Sequence, residues 1–406
     1  MEKRVVLIMK KKILILGGAL LQSYVIKRAK ELNYEVHVLD MNPDSMGFKY
    51  ADKYAAINIV DQEACLKYAK DNEIDGVLTA ATDYGVLSAS YITNNLGLNG
   101  INYDVAKRIK NKYEIRKILS NEKADDIDQF YEIEDIDDIN KIKDRIIYPV
   151  IVKPCDGSGS KAINRVDNSD NLESAVKDAL SMSISHKALI ETFIIGKEYG
   201  AESFVYNREI HVLAIMDKEM TKPPYYAELG HTVPSGLPSN IQDKVINTVK
   251  RSIKALGINY GSVNMDLLVT NDGKVCIIDV GARMGGNLIG SHIVPLSTGI
   301  DYIGNMIKAA VNDSVDFTVK DNKCVSTKLL ALKPGIVKDL PDFNKYYDND
   351  IKYIVCNLEI GSEIREYHNN LDGCGYVVSV GTDREYLKNK VKNVKEKIDD
   401  EIIREK

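Results

Sequence analysis

The segment "NMDLLVTNDGKVCIIDVGARMGGN", residues 264–287, combines two apolar runs, a turn and a charged, glycine-rich end. The runs "MDLLV" and "KVCIIDV" flank "TNDG", and an Asp-Gly turn between apolar runs predicts a β-hairpin. Antiparallel pairing across this turn would bring Asp266 and Asp279 together at one end of the hairpin. Because buried charge needs a partner, the segment predicts either internal ion pairs or a bound ligand.

The two acids are candidate metal ligands. Two carboxylates held close repel each other unless a cation joins them. Ligands that offer only oxygen suit Mg²⁺ that is shared between a protein and phosphates. Arg283, four residues after Asp279, offers a planar fork for a carboxylate or a phosphate. The alternative is a plain hairpin whose acids pair with Arg or Lys.

A second motif lies upstream, where the predicted strand "VIVKP" leads Lys153 into "CDGSGSKAI". The backbone N–H groups of a glycine-rich loop can close over phosphates. Ser158 and Ser160 add hydroxyl donors, and Lys153 adds a positive charge. The loop does not match the Walker A pattern, so an ordinary surface turn is the alternative.

A third segment, "LIETFIIGKEYG", carries Glu191 at a predicted strand end and Glu198 seven residues later. A short apolar linker with spare backbone groups can clamp an adenine, and a nearby carboxylate can accept hydrogen bonds from a ribose. Taken alone, two glutamates at this spacing are usually a solvated surface.

Strands and helices are predicted to alternate from Lys12 to about residue 100, and again to about residue 315. Repeated strand–helix units indicate a parallel sheet with helices on both faces. Residues 104–119 and 168–181 are predicted to be helical, and a charged helix is expected at 383–404. The turn "GGALLQS" lacks the full G-x-G-x-x-G pattern, so a nicotinamide dehydrogenase is a weak alternative.

Composition narrows the class of protein. The length of 406 residues predicts two to four domains. The net charge of −5 argues against a general nucleic-acid binder, and no apolar run reaches the roughly 18 residues of a membrane span. The six cysteines form no CxxC pair, which fits structural roles in a reducing cytoplasm.

Together these motifs resemble the ATP-grasp superfamily over nearly the whole chain. The order is similar: a Rossmann-like start, Lys112 in "KNKYEIRKIL", Lys153 before the glycine-rich loop, the "ETFIIGKE" hinge, and the acid pair with Arg283. The resemblance implies an α/β chain, α+β in its body, with a Rossmann-like N-terminal domain and a small C-terminal closing domain. The implied division is a tail at 1–11, then 12–100, an ATP-grasp domain at 101–315, and the closing domain at 320–406.

The resemblance also implies roles for individual residues. ATP, as co-substrate, would be bound by the two lysines, the glycine-rich loop and the hinge; this set is Lys112, Lys153, Ser158, Gly159, Ser160, Glu191, Phe193 and Glu198. Mg²⁺ or Mn²⁺ would be bound by Asp266 and Asp279. Many relatives carry an Asn two residues after the second acid, where this chain has Gly281, and Asn287 or a water is a candidate replacement.

The segment "YYAELGHTVPSGLP", residues 225–238, is similar to the amino-acid ligases of this superfamily. It implies an ATP-dependent ligase that joins a carboxylate and an amine through an acyl phosphate, as in dipeptide synthesis. Arg283 would hold the carboxylate or stabilise an oxyanion, and Glu228 or His231 would face the amine.

The implied partners are small molecules, with no nucleic acid or membrane, and dimers are frequent in the family. The alternatives are a bicarbonate-using carboxylase or carbamoyl-phosphate-type enzyme, and a nucleotide-binding protein without catalysis.

Overall fold

An α/β unit opens the chain, and its strands coincide with the apolar runs of the sequence. The computed structural model describes residues 10–156, 162–223 and 225–405. The first elements are β1 (Lys12–Leu16), α1 (Leu20–Glu31), β2 (Glu35–Asp40), β3 (Lys53–Ala56), α2 (Gln62–Asp71), β4 (Gly76–Thr79) and α3 (Val86–Leu96). The strands pair in parallel in the order β3-β2-β1-β4, which confirms the predicted parallel sheet.

Helices cover both faces of this sheet, because successive side chains of a strand point to opposite sides. On one face, Ile13 and Ile15 pack in a buried cluster with Val25 of α1. On the other face, Leu14 packs in a second cluster with Leu66 of α2. A parallel sheet needs such cover on both sides, since its strands are apolar throughout.

The predicted helical stretch at 104–119 consists of two helices, α4 (Tyr103–Ile109) and α5 (Lys112–Asn121). The side chain of Asn111 accepts hydrogen bonds from the backbone N–H groups of Tyr113 and Glu114, at 2.9 and 3.2 Å. Such an N-cap starts a new helix, because it satisfies donors that have no partner within the helix. The cap places Lys112 at the first residue of α5.

A small antiparallel sheet follows. Its elements are β5 (Phe130–Ile133), α6 (Asp138–Ile142), β6 (Val150–Pro154), β7 (Asn164–Val166), α7 (Leu172–Met182) and β8 (Ala188–Thr192). The strand order is β5-β8-β6-β7. The glycine-rich loop follows β6, and its residues Ser158, Gly159 and Ser160 lie outside the described residues.

The body of the chain is built on a larger sheet. Its elements are β9 (Lys197–Tyr206), β10 (Glu209–Met220), β11 (Glu228–Val233), α8 (Ser239–Leu256), β12 (Gly261–Val269), β13 (Val275–Gly281), α9 (Val294–Thr298) and α10 (Tyr302–Ala310). The predicted alternation of strands and helices is wrong for β8 to β11, which follow one another directly. The turn between β9 and β10 explains this, because Asn207 and Arg208 both adopt positive φ, as in a tight hairpin.

The C-terminal elements are β14 (Cys324–Leu329), β15 (Gly335–Asp339), β16 (Ile351–Cys356), β17 (Glu363–Ile364), β18 (Gly375–Gly381), α11 (Arg384–Glu401) and β19 (Ile403–Glu405). Strands β14, β18 and β16 extend the larger sheet, in the order β13-β12-β9-β10-β11-β14-β18-β16. The segment 320–406 therefore shares one sheet with the body. None of the described helices is both long and apolar enough to cross a lipid bilayer.

Candidate active site

The hairpin of β12 and β13 brings the two predicted metal ligands together. Asp266 lies directly opposite Asp279 in the antiparallel register, and the ladder is irregular between Asp266 and Leu267. The turn closes at Gly273, whose φ of +77° is a conformation that glycine adopts without strain. The predicted hairpin and the shared end of its acids are thus present.

Lys112 forms an ion pair with the second acid of the hairpin. Its Nζ lies 2.7 Å from Oδ1 of Asp279, and its backbone N–H donates to the carbonyl of Cys155 at 2.7 Å. Burial alone would raise the pKa of the Asp279 carboxyl, but the ammonium of Lys112 lowers it below its usual value. The start of α5 is therefore tied to both the hairpin and the start of the glycine-rich loop.

Lys153 reaches the same strand from the small sheet. Its Nζ donates to the carbonyl of Ile278 at 3.2 Å and lies 2.6 Å from Oε1 of Glu191. The other carboxylate oxygen of Glu191 lies 3.1 Å from Nε of Arg116, which also pairs with Asp125 at 2.5 Å. These four side chains are at most 4% exposed. The result is a buried row of alternating charges beside β13.

The predicted adenine and ribose residues fall on and after β8. Glu191 belongs to the buried row of charges, whereas Phe193 and Glu198 are partly exposed. The guanidinium of Arg165 lies 4.5 Å from the ring centre of Phe193, a distance that favours a cation–π contact. The hinge thus carries a partly exposed aromatic ring next to Arg165 and a partly exposed carboxylate that pairs with Lys218.

A lysine that the sequence analysis missed lies at the centre of the acids. The Nζ of Lys218 on β10 lies 2.9 Å from Glu198, 2.6 Å from Glu228 and 2.8 Å from Asp266. We call these four residues the Lys218 cluster. The sequence signal is limited to the apolar run at 213–216 that closely precedes Lys218, and the structure shows that residues 213–218 are buried on both faces of the strand. A lysine within such a run requires charged partners.

Glu228 and His231, which the resemblance predicts to face the reacting centre, both lie on β11 with their side chains close together. Oε2 of Glu228 accepts a hydrogen bond from Asn287 and lies 3.9 Å from Nε2 of His231. Burial raises the pKa of Glu228, but Lys218, His231 and the hydrogen bond from Asn287 together lower it to about 2. Burial lowers the pKa of His231 to about 4, and its Nε2 has no hydrogen-bond partner among the described residues.

Arg283 pairs with the N-terminal domain. Its Nε lies 2.9 Å from Oδ1 of Asp83, and its Nη2 lies 3.3 Å from the other oxygen. A side chain at Gly281 would place its Cβ 3.1 Å from the guanidinium carbon of Arg283. The glycine at this position therefore leaves space for the guanidinium.

The C-terminal segment also reaches the site, a contact that no sequence motif indicated. The hydroxyl of Tyr376 donates to Oδ1 of Asn287 at 2.8 Å, and Asn287 in turn donates to Glu228. The hydroxyl of Tyr367 donates to the carbonyl of Glu228, whose N–H donates to Asn370 at 3.1 Å. Residues 367–376 therefore hold Glu228 by its backbone and, through Asn287, by its carboxylate.

The two hairpin acids are the predicted donor set for a metal. Among the described residues, no group of three or more His, Cys, Asp or Glu is arranged to hold a metal ion. Mg²⁺ is commonly bound by one or two carboxylates and completed by water and substrate phosphates. Asp266 and Asp279, with two lysines close by, fit such a shared site and do not fit a metal held by protein alone.

The chain is similar in sequence and in fold to several known proteins. Residues 146–291 match the family model described as "ATP-grasp domain". The chain is 23% identical to the protein y4rH of Sinorhizobium fredii over 393 residues. This alignment covers 93% of this chain and 80% of y4rH. The crystal structure of L-amino acid ligase from Bacillus licheniformis superimposes with a TM-score of 0.85 at 21% identity, covering 98% of this chain and 99% of that one.

A second solved structure, phosphoribosylglycinamide synthetase from Anaerococcus prevotii, gives a TM-score of 0.80 at 24% identity. The superposition covers 98% of this chain and 100% of the synthetase chain. The predicted fold class is confirmed by these likenesses, and so is the predicted resemblance to the ATP-grasp superfamily. Residues 146–291 therefore match an ATP-grasp domain, and the chain as a whole has the ATP-grasp fold.

Proposed function

We propose that the chain is an ATP-dependent carboxylate–amine ligase that forms an amide or peptide bond, with amino acids as substrates. One observation carries the proposal: Asp266 and Asp279 lie opposite each other, and Lys112 and Lys153 both reach the strand of Asp279. Two acids and two bases at one strand end are the groups that a nucleotide's phosphates and their metal require. The name of the Bacillus licheniformis neighbour supports the choice of amino acids.

The nucleotide would lie between the small sheet and the larger sheet. Lys112 and Lys153 would contact its phosphates, together with Ser158, Gly159 and Ser160 of the glycine-rich loop. Phe193 would contact the adenine and Glu198 the ribose hydroxyls. Glu191 would act from behind, because its carboxylate pairs with Lys153 and fixes the position of that ammonium.

Asp266 and Asp279 would hold Mg²⁺ or Mn²⁺ together with the phosphates. The ion, when bound, neutralises charge that develops on the phosphoryl group during its transfer. Lys112 now pairs with Asp279, and Lys218 now pairs with Asp266. Each lysine can therefore satisfy an acid before the nucleotide arrives.

Arg283 would bind the carboxylate substrate through its planar fork, in the place that Asp83 takes in this structure. The carboxylate oxygen would then attack the γ-phosphorus, and ADP would leave. The resulting acyl phosphate is a better acyl donor than a carboxylate, because phosphate can depart where oxide cannot. Lys153 would neutralise charge on the transferred group.

The amine substrate would bind beside Glu228, which stays ionised and can accept hydrogen bonds from an ammonium group. Burial keeps His231 neutral, and its Nε2, which has no hydrogen-bond partner among the described residues, would accept a hydrogen bond from the amine. The amine would then attack the acyl carbon, and the carbon–oxygen bond to phosphate would break. Atoms balance as acid, amine and ATP giving amide, ADP and phosphate.

The decisive test is a phosphate-release screen with ATP, Mg²⁺ and pairs of amino acids, with mass spectrometry of the products. We expect phosphate release that depends on an amino-acid pair and a product mass equal to their sum less one water. Release that needs bicarbonate in place of amino acids would favour a carboxylase. Tight ATP binding with no release in any mixture would favour a nucleotide-binding protein without catalysis.

Asp279→Asn should abolish this turnover while the fold stays intact, because the amide carries no charge to share with a metal. Asp272→Asn is the matched control, since Asp272 lies in the exposed turn of the same hairpin. Circular dichroism and turnover should be measured for both variants. Near-normal turnover in Asp279→Asn would contradict the metal assignment.

A further inference from the structure

The Lys218 cluster brings together three acids to which the proposed function gives three different partners. Glu198 would contact ribose, Asp266 would contact metal, and Glu228 would contact the amine. They come from β9, β12 and β11, and the only described ammonium within ion-pair distance of all three is that of Lys218. The Lys218 side chain is 2% exposed, so it reaches these acids from inside the sheet and not from solvent.

The charges of this cluster do not balance, since one ammonium faces three carboxylates. Close carboxylates without a cation repel one another and attract any divalent ion that can enter. Lys218 stands where such an ion would have to stand, because its nitrogen is within 2.9 Å of an oxygen of each acid.

We propose that Lys218 is a positioning residue that holds the three acids together and keeps free divalent ions out of them until a nucleotide brings its own. The assignment of partners to the acids rests on the proposed function. The role of Lys218 as internal counter-ion rests only on the distances and burial above. Lys218 connects the proposed nucleotide-binding and amine-binding parts of the site, because its ammonium group contacts Glu198 in the first and Glu228 in the second.

The test uses Mn²⁺ alone as a probe, titrated against the full chain and followed by electron paramagnetic resonance of the free ion. Lys218→Met keeps the length of the side chain and removes its charge. We expect Lys218→Met to bind Mn²⁺ at least tenfold more tightly than the unmodified protein. Lys218→Arg should behave as the unmodified protein does, because it keeps the positive charge.

Lys328→Met is the matched control. Lys328 is also poorly exposed and pairs at 2.5 Å with a glutamate of β10, Glu219, but it does not contact the cluster. It should leave Mn²⁺ affinity unchanged. A double variant, Lys218→Met with Glu198→Gln, removes one charge of each sign and should return Mn²⁺ affinity toward that of the unmodified protein.

Equal Mn²⁺ affinity in Lys218→Met and the unmodified protein would overturn the proposal, and so would an equal gain in Lys328→Met. If Lys218→Met does not fold, Lys218→Gln carries the same comparison with a polar side chain. The titration needs neither nucleotide nor turnover. Absence of phosphate release would refute the ligase proposal but not the role of Lys218. Equal Mn²⁺ affinities would refute the role of Lys218 but not the ligase proposal.

Discussion

The buried row formed by Lys153, Glu191 and Arg116 illustrates what single residues reveal before folding and what they do not. The sequence identified Lys153 and Glu191 as separate nucleotide contacts. In the structure they pair with each other, because the register of β6 and β8 brings residues almost 40 positions apart side by side. Such a pairing depends on strand register, which residue type and spacing do not specify.

Arg116→Met should lower the free energy of unfolding by about 3–5 kcal/mol, because it leaves Glu191 and Asp125 with less positive charge in a buried place. Urea denaturation measures the change. Lys177→Met removes an exposed lysine that pairs with Glu173, and it should change stability by about 1 kcal/mol at most. A similar small effect for both variants would show that the buried row is not important for stability.

The buried carboxyl group of Glu202 makes the stability of the fold depend on pH. It is fully buried, and burial raises its pKa to about 7, although Tyr302, Asn264, the N–H of Gly285 and the charge of Arg283 all act to lower it. A folded-state pKa above the unfolded value, about 4.3, means that the folded state binds the proton more tightly. Its contribution to stability is therefore complete below about pH 4 and is lost as the pH rises toward 7.

Glu202→Gln should remove this dependence. Between pH 4 and 8, the stability of the unmodified protein relative to the variant should fall by on the order of 3 kcal/mol. Denaturation at several pH values measures both curves, and the exposed Glu173→Gln serves as control. Parallel curves for the unmodified protein and Glu202→Gln would contradict the raised pKa.

At the scale of elements, the hairpin of β12 and β13 was the most predictable part of the site. Its turn signal is local, its two apolar runs have similar length, and the register next to the turn follows from the turn. The irregularity between Asp266 and Leu267, which sets Asp266 opposite Asp279, has no such local signal. The strands β9 to β11 were not predictable in the same way, because their buried faces give no alternation of apolar and polar residues. The break at Asn111 was a local signal, a capping residue, that periodicity alone does not detect.

The segment that follows β13 depends on close backbone packing at one glycine. A Cβ at Gly285 would lie 2.9 Å from Nδ2 of Asn264 and from Oε2 of Glu202. Gly285→Ala should therefore lower the free energy of unfolding by about 1–3 kcal/mol. The adjacent Gly286→Ala would contact only Leu21, at 3.9 Å, and should be close to neutral. Thermal unfolding of both variants separates the two outcomes, and equal midpoints would refute the packing argument.

At the scale of the whole molecule, the candidate site is assembled from three distant parts of the chain. Asp83 comes from the loop between β4 and α3, Arg283 and Glu228 from the body, and Tyr376 from the C-terminal strands. The sequence predicted the residues from the body, Arg283 and Glu228, because each lies within a short motif. The outer residues could not be found in that way, because only the docking of the N-terminal unit and the course of the long sheet bring them in.

Tyr376→Phe tests the C-terminal contribution. Loss of its hydrogen bond to Asn287 loosens the residue that holds the carboxylate of Glu228. A lost hydrogen bond of about 1 kcal/mol should raise the KM for the amine about fivefold and leave the KM for ATP unchanged. Tyr386→Phe, which removes an exposed hydroxyl on α11, is the control. An unchanged amine KM, or an equal rise for ATP, would contradict the contact's role in amine binding.

The antiparallel pairing of β11 with β14 affects the solubility expected of C-terminally truncated versions of the chain. Residues Gly230 to Val233 pair with Lys328 to Val325, so the last strands shield one border of the catalytic sheet. Removal of residues 320–406 would leave the backbone N–H and C=O groups on one side of β11 unpaired. Such an exposed strand edge can pair with other chains and cause aggregation. Such a fragment would keep every proposed catalytic side chain and still precipitate. The tail thus protects solubility as well as the position of Glu228.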